Sequence, residues 1–175
     1  MTRSELLTKL PKNLSWAELG VFVGDFSKEI YNICEPSTLH LVDTFPDNMI
    51  SGDKDGNNIR VLNLESVPVN LESHFNDSKV IIHKTTTKEF LENCIFKNIT
   101  LDAVYIDADH SYESVKSDLN LSYEIVTDGG YICGHDYSEE HFYGVFKAVN
   151  EFCDDKNLKI NYLSKDGCPT YCIKK

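Results

Sequence analysis

Residues 17 to 27 read Ala17-Glu18-Leu19-Gly20-Val21-Phe22-Val23-Gly24-Asp25-Phe26-Ser27, and Leu39-His40-Leu41-Val42-Asp43 closes nineteen residues after Gly24. The first stretch is an apolar strand, a glycine-spaced turn and the start of a helix. The second is another apolar strand, and it ends in a carboxylate. In an α/β protein this pairing holds an adenosine-containing ligand, because backbone N–H groups cluster at the helix start and the acid faces the ribose. The glycine spacing is Glu-x-Gly-x-x-x-Gly, not the Gly-x-Gly-x-x-Gly of a dinucleotide fold. A nicotinamide-dependent oxidoreductase is therefore the weaker reading.

Outward from this core, strands and helices alternate, which predicts a parallel sheet. Helices are expected over Ser4–Leu10, Ser27–Cys34, Leu64–Phe75, Thr87–Cys94, Ser111–Val126 and Glu140–Phe152, with Ser27 and Thr86 as caps and Pro36 as a stop. Strands are expected over Trp16–Val21, Thr38–Val42, Lys79–His83, Leu101–Asp107 and Tyr131–Gly134, the last preceded by an Asp128-Gly129-Gly130 turn. Two closing strands, Leu158–Leu163 and Thr170–Ile173, flank a Lys165-Asp166-Gly167 turn, so the sheet reads as mixed. Phe45 to Arg60 is rich in turn formers and reads as an irregular loop. Its Asp53-Lys54-Asp55-Gly56 run fails as a calcium loop, because the sixth and twelfth positions are Asn58 and Leu64.

The 175 residues suffice for one domain over residues 1–175 with its own core. Hydrophobic content of 41% and charged content of 26% are globular values. No apolar run approaches a membrane span, and Met1-Thr2-Arg3-Ser4-Glu5 is not a secretory leader. The expectation is a soluble, cytoplasmic protein without a membrane partner. A formal net charge of −11 repels a phosphate backbone, so nucleic acid is not the expected partner. The six cysteines include no Cys-x-x-Cys pair, and Cys94 and Cys133 lie in apolar runs as buried thiols.

Two further strings carry chemistry. Ile106-Asp107-Ala108-Asp109-His110-Ser111-Tyr112-Glu113 places two acids and an imidazole at the end of an apolar strand, and Gly129-Gly130-Tyr131-Ile132-Cys133-Gly134-His135-Asp136-Tyr137 repeats the pattern. Adjacent parallel strands would set the two polar clusters side by side.

The stretch around Gly20 resembles motif I of the class I S-adenosylmethionine (SAM) methyltransferases. The element order resembles theirs from about residue 15 to 173, and the two strings resemble one subfamily of small SAM enzymes. The resemblance implies a Rossmann-like, seven-stranded, mostly parallel sheet with helices on both faces and the last strand antiparallel. It implies a SAM site built from Glu18, Gly20, Val21, Phe22, Gly24 and Ser27 around the first turn. Asp43 would accept ribose hydroxyls, since a carboxylate offers two oxygens and no donor. Thr44, Phe45, Thr85 and Thr86 would face the adenine, although Phe45 reads equally as core and Thr86 equally as a cap. Asp107, Ala108, Asp109 and His110 would close the site at the fourth strand.

Metal-dependent O-methyltransferases hold a divalent cation at positions that correspond here to Asp107, His135 and Asp136. His135 departs from the usual acid or amide and would shift preference from Mg²⁺ toward Mn²⁺ or Fe²⁺. A metal-free alternative uses His110 or His135 as the general base. A third keeps His110 and Asp136 as helix caps. The implied activity is methylation of oxygen on a sugar or other small hydroxylated acceptor, with a glycan open as a larger one. The rival is a non-catalytic SAM-binding protein, either a sensor or an assembly subunit. With only a short segment before the first strand, the acceptor roof must come from the 45–60 loop, from Tyr137–Tyr143, or from a second subunit of a homo-oligomer.

Overall fold

The computed structural model describes residues 1–51, 60–140 and 144–175. Its elements are α1 (Arg3–Leu7), β1 (Ser15–Leu19), α2 (Asp25–Cys34), β2 (Thr38–Asp43), β3 (Met49–Ser51), β4 (Arg60–Leu62), α3 (Val67–Phe75) and β5 (Val80–Lys84). They continue as α4 (Thr87–Phe96), β6 (Leu101–Ile106), α5 (Tyr112–Ile125), β7 (Val126–Gly134), α6 (Val145–Lys156), β8 (Ile160–Leu163) and β9 (Tyr171–Lys174). Seven strands form one sheet in the order β5-β2-β1-β6-β7-β9-β8. The first five pair in parallel, and β9 runs antiparallel to both β7 and β8. This is the expected Rossmann-like sheet, with β9 inserted between β7 and the edge strand β8.

Both faces are covered because strand side chains alternate. Ala17, Leu19, Val104, Ile106, Ile132 and Tyr171 pack under α4, α5 and α6. Trp16, Leu39, Leu41, Ala103, Tyr105 and Cys133 pack under α1, α2 and α3. The chain order reverses between β1 and β6, since β2 and β5 lie on one side of β1 and the later strands on the other. That switch point opens a crevice beyond the carboxyl ends of β1 and β6, where α/β sheets bind ligands.

Several expectations are corrected. Ser27 does not cap α2; Gly24, at φ +82°, is the cap residue, and Ser27 is buried one turn inside. The turn expected at Asp128-Gly129-Gly130 lies within β7, where a register shift opposite Leu101–Ala103 absorbs it. The loop after β2 contains a short antiparallel hairpin, β3 with β4. Residues 52–59 and 141–143 lie outside the described residues, and with them the Asp53–Asn58 run and much of both expected roof segments. Pro68 falls in the first turn of α3, where a missing N–H costs nothing. Thr86 and Glu89 form a reciprocal capping box on α4. Among the described residues no helix is long and apolar enough to cross a membrane.

Candidate active site

The turn between β1 and α2 is tied to the end of β2 by one side chain. Asp43 Oδ2 accepts the backbone N–H groups of Val21 and Phe22, both at 2.9 Å, and Oδ1 accepts that of Phe45 at 2.8 Å. Gly20 sits at φ +92°, and a Cβ there would lie 2.1 Å from the Asp107 carbonyl oxygen. Only glycine lets the β1 and β6 ends approach this closely.

The crevice holds a cleft of about 580 Å³, lined by Gly20, Phe22, Val42, Asp43, Thr44, Pro46, Met49, Thr85–Lys88, Asp107–Asp109 and Ser114. Its volume falls in the roughly 300–1,000 Å³ range of small-molecule sites. Of the anticipated residues, Gly20, Phe22, Asp43, Thr44, Thr85, Thr86, Asp107, Ala108 and Asp109 border it. Thr85 and Thr86 both donate their hydroxyls to Glu89 Oε2, so Thr86 serves as cap and as cleft wall. Asp109 is held by Ser111 N–H and the Ser114 hydroxyl.

The remaining residues stand behind the wall. Val21 is buried and offers only its N–H. Phe45 is fully buried in the core, so it packs on no cleft ligand; Pro46 and Met49 take that wall. Gly24 abuts Leu71 of α3. Glu18 is buried in β1, and the Ser27 hydroxyl donates to it. Burial pushes the Glu18 carboxyl up to about 8, with the Ser27 hydrogen bond pulling the other way and the charges of Asp107, Arg3 and Asp43 adding smaller influences.

Beside the cleft, the ends of β6 and β7 bring two imidazoles against two carboxylates. His110 Nε2 lies 3.2 Å from Asp136 Oδ2 and 3.5 Å from Asp107 Oδ1; His135 Nδ1 lies 3.2 Å from Asp136 Oδ2 and 3.8 Å from Asp107 Oδ1. A hydrogen bond to Asp107 is the largest influence on His110 and, with the neighbouring acids, holds its pKa above the ordinary value despite burial. Burial tends to raise the Asp136 carboxyl, but His135, His110 and the Cys168 thiol together keep it below its ordinary value. Among the described residues, the donor atoms close enough to share one cation, within 4.8 Å of one another, come from Asp107, His110 and Asp136. The anticipated trio of Asp107, His135 and Asp136 also lies together, with His135 Nδ1 3.8 and 3.2 Å from the two carboxylates, and His110 from the first string is a second imidazole beside the same oxygens. His110 is not a helix cap, since Ser111 caps α5.

Arg3 is the residue that sequence reasoning missed. Its Nη1 lies 3.7 Å from Asp107 Oδ2. A lone arginine in a short leading helix carries no local signal, and only the folded chain brings it to the end of β6.

A sequence profile of the methyltransferase-domain family matches residues 17–137. An uncharacterized protein of Acanthamoeba polyphaga mimivirus is 41% identical over 56 residues, which is 31% of this chain and 25% of that protein. Among solved structures, a putative SAM-dependent methyltransferase from Streptococcus mutans superposes with a TM-score of 0.70 at 11% identity, over 98% of this chain and 47% of that one. The chain thus spans about half the length of that protein. N-methyltransferase NodS from Bradyrhizobium japonicum gives 0.66 at 11% identity, over 99% and 94%. Aeropyrum pernix fibrillarin, solved with natively bound S-adenosyl-L-methionine, gives 0.66 at 15% identity, over 97% and 72%. Likeness at these identities establishes a shared fold.

Proposed function

The chain belongs to the methyltransferase-domain family, and on that premise we propose that it binds SAM in the Gly20–Asp109 cleft and methylates a hydroxyl oxygen of a small acceptor, of which a sugar is one class. The observation that carries this reading is a juxtaposition. A ligand-sized cleft walled by the glycine turn and Asp43 adjoins a paired acid–imidazole cluster through Asp107.

The donor chemistry fits the cofactor. A carboxylate has roughly four acceptor sites, and three of those on Asp43 hold backbone amides. One ribose hydroxyl fills the fourth without releasing any of them. The Thr85 and Thr86 hydroxyls stand at the β5 wall for adenine. Bound SAM supplies a methyl group already made electrophilic by its sulfonium. The protein has to align the acceptor oxygen with that methyl, keep water out and take up the hydroxyl proton. In His135 the carboxylates engage Nδ1, which makes Nε2 the basic atom. Asp136 and Asp107 then stabilise the imidazolium that forms, as an acid does behind any histidine base.

A second reading rests on the grouping of Asp107, His110 and Asp136. Two carboxylates and an imidazole suit Mn²⁺ or Fe²⁺ better than Mg²⁺, and such an ion would lower the acceptor hydroxyl's pKa. The net charge of −11 disfavours a polyphosphate acceptor in either case.

The test is transfer of labelled methyl from SAM to a panel of glycosides and other hydroxylated molecules, in EDTA and with added Mn²⁺. The expected result is label on oxygen with wild-type protein and none with His135→Ala, which still binds S-adenosylhomocysteine (SAH). Loss of wild-type turnover in EDTA moves the chemistry to the metal reading. Label found only on amines overturns the oxygen assignment.

A further inference from the structure

Beside the acid-lined end of the cleft, against Asp107, stands a cation that the proposed reaction leaves unused. Arg3 lays its guanidinium over the Phe26 ring, 3.9 Å from the centroid, and holds Nη1 3.7 Å from Asp107 Oδ2. It faces the Tyr105 hydroxyl and lies close enough to Glu18 to draw that carboxyl's pKa down. The guanidinium therefore sits at the shared carboxyl ends of β1 and β6, where Gly20 meets Asp107. Lys88 lines the opposite wall, with Thr85–Thr87.

We propose that Arg3 binds the carboxylate of the cofactor's amino-acid tail, an assignment that rests on the SAM reading above. The tail is a zwitterion. Its ammonium is compatible with the Asp43 and Asp107 carboxylates on the cleft wall, but its carboxylate is not. Like charges repel more strongly at a protein surface than in water, because the effective dielectric is lower. A carboxylate entering this end needs a cation, and an arginine fork matches its two oxygens. The 3.7 Å separation exceeds hydrogen-bond length, so Asp107 attracts the guanidinium without occupying its N–H fork. Stacking on Phe26 engages the flat face of the guanidinium rather than its edge donors, one of which meets the Tyr105 hydroxyl.

The backbone beneath Arg3 is pinned. Its N–H donates to Asp166 Oδ2 at 2.8 Å, the Met1 carbonyl accepts the Lys165 N–H at 2.9 Å, and the Ser4 hydroxyl donates to Glu29 at 2.7 Å. Leu6 and Leu7 anchor α1 in the core. Binding therefore orders little that is not already ordered, and more of the ion pair appears as affinity. The site should thus discriminate ligands by their carboxylate.

The test is calorimetric titration of wild type, Arg3→Gln and Arg3→Lys with SAH and with its decarboxylated analogue, S-adenosyl-3-thiopropylamine. Wild type should prefer SAH by about 10- to 100-fold, the range of a charge-assisted bidentate contact. Arg3→Gln should lose that preference while binding the analogue within about twofold of wild type, which also shows that it is folded. Arg3→Lys, which keeps the charge and loses the fork, should fall between them. Should the glutamine variant not fold, the lysine variant decides by the same ratio. Equal weakening toward both ligands makes Arg3 a structural prop and overturns the assignment, as does an unchanged preference or a wild type indifferent to the carboxylate. A wild type that binds neither ligand overturns the SAM reading itself, and this inference with it.

Discussion

Replacing Glu18 by Gln should stabilise the protein at neutral pH. Glu18 is 1% exposed, and burial moves its pKa from 4.5 to about 8. Between those values the folded chain keeps the proton and the unfolded chain releases it. Stability from this group is complete below pH 4.5 and is lost as pH rises toward 8. Each pH unit in that window is worth about 1.4 kcal/mol, so the deficit is roughly 3 kcal/mol at pH 7 and roughly 5 kcal/mol above pH 8. Glutamine never ionises, and its amide oxygen still accepts the Ser27 hydroxyl. Urea unfolding at pH 5, 6, 7 and 8 reads the difference directly. The single tryptophan, Trp16, is buried in β1 beside Glu18 and reports the transition by fluorescence. Glu18→Gln should exceed wild type by under ~1 kcal/mol at pH 5 and by about 3 kcal/mol at pH 7, a shift of very roughly 6–12 °C in Tm. Titrations common to both proteins cancel in the difference. Curves that run parallel across this range would refute the buried, proton-holding carboxyl.

Other substitutions test other parts of the site. Asp43→Asn keeps one amide-accepting oxygen and loses the charge; SAH affinity should fall at least about tenfold, and unchanged affinity removes Asp43 from the ribose contact. Gly20→Ala puts a methyl 2.1 Å from the Asp107 carbonyl at φ +92°, so the urea midpoint should drop by an amount equivalent to more than ~2 kcal/mol; a neutral result contradicts the close approach of β1 and β6. His40 lies 2.9 Å from His83 across β2 and β5, and burial, with the second imidazole adding to it, moves its pKa down to about 4. The unfolded chain takes up that proton below about 6.5, so stability should fall as pH drops from 6.5 to 4. His40→Gln should remove about 2 kcal/mol of this loss at pH 5, and an unaltered acid limb in denaturation would count against the pair.

The fold was readable because its strands are apolar on both faces and its helices carry local signals. Pro36 follows α2, Thr86 with Glu89 starts α4, and Ser111 starts α5. What was not readable depended on contacts distant in sequence. Ser27 looks like a cap until Glu18 is seen facing it from β1. Phe45 reads equally as core and as a ligand contact until the core under α2 and α3 closes over it. Three-residue strands such as β3 and β4 are too short to show alternation, and turn formers lie between them. Within the site, Asp43, Asp107, Asp109, His110, His135 and Asp136 announced themselves as polar residues at the ends of apolar strands. That both imidazoles converge on Asp107 and Asp136 depends on the pairing of β6 with β7, and the place of Arg3 depends on tertiary packing alone.

The central claim is that an adenosyl cofactor occupies the cleft between Gly20, Asp43 and Asp107. A crystal structure of the protein with SAH tests it most directly. The account predicts a ribose hydroxyl on Asp43, the adenine beside Thr85 and Thr86, and the tail carboxylate at Arg3. A cleft that stays empty at saturating SAH, or SAH bound elsewhere on the molecule, would contradict it.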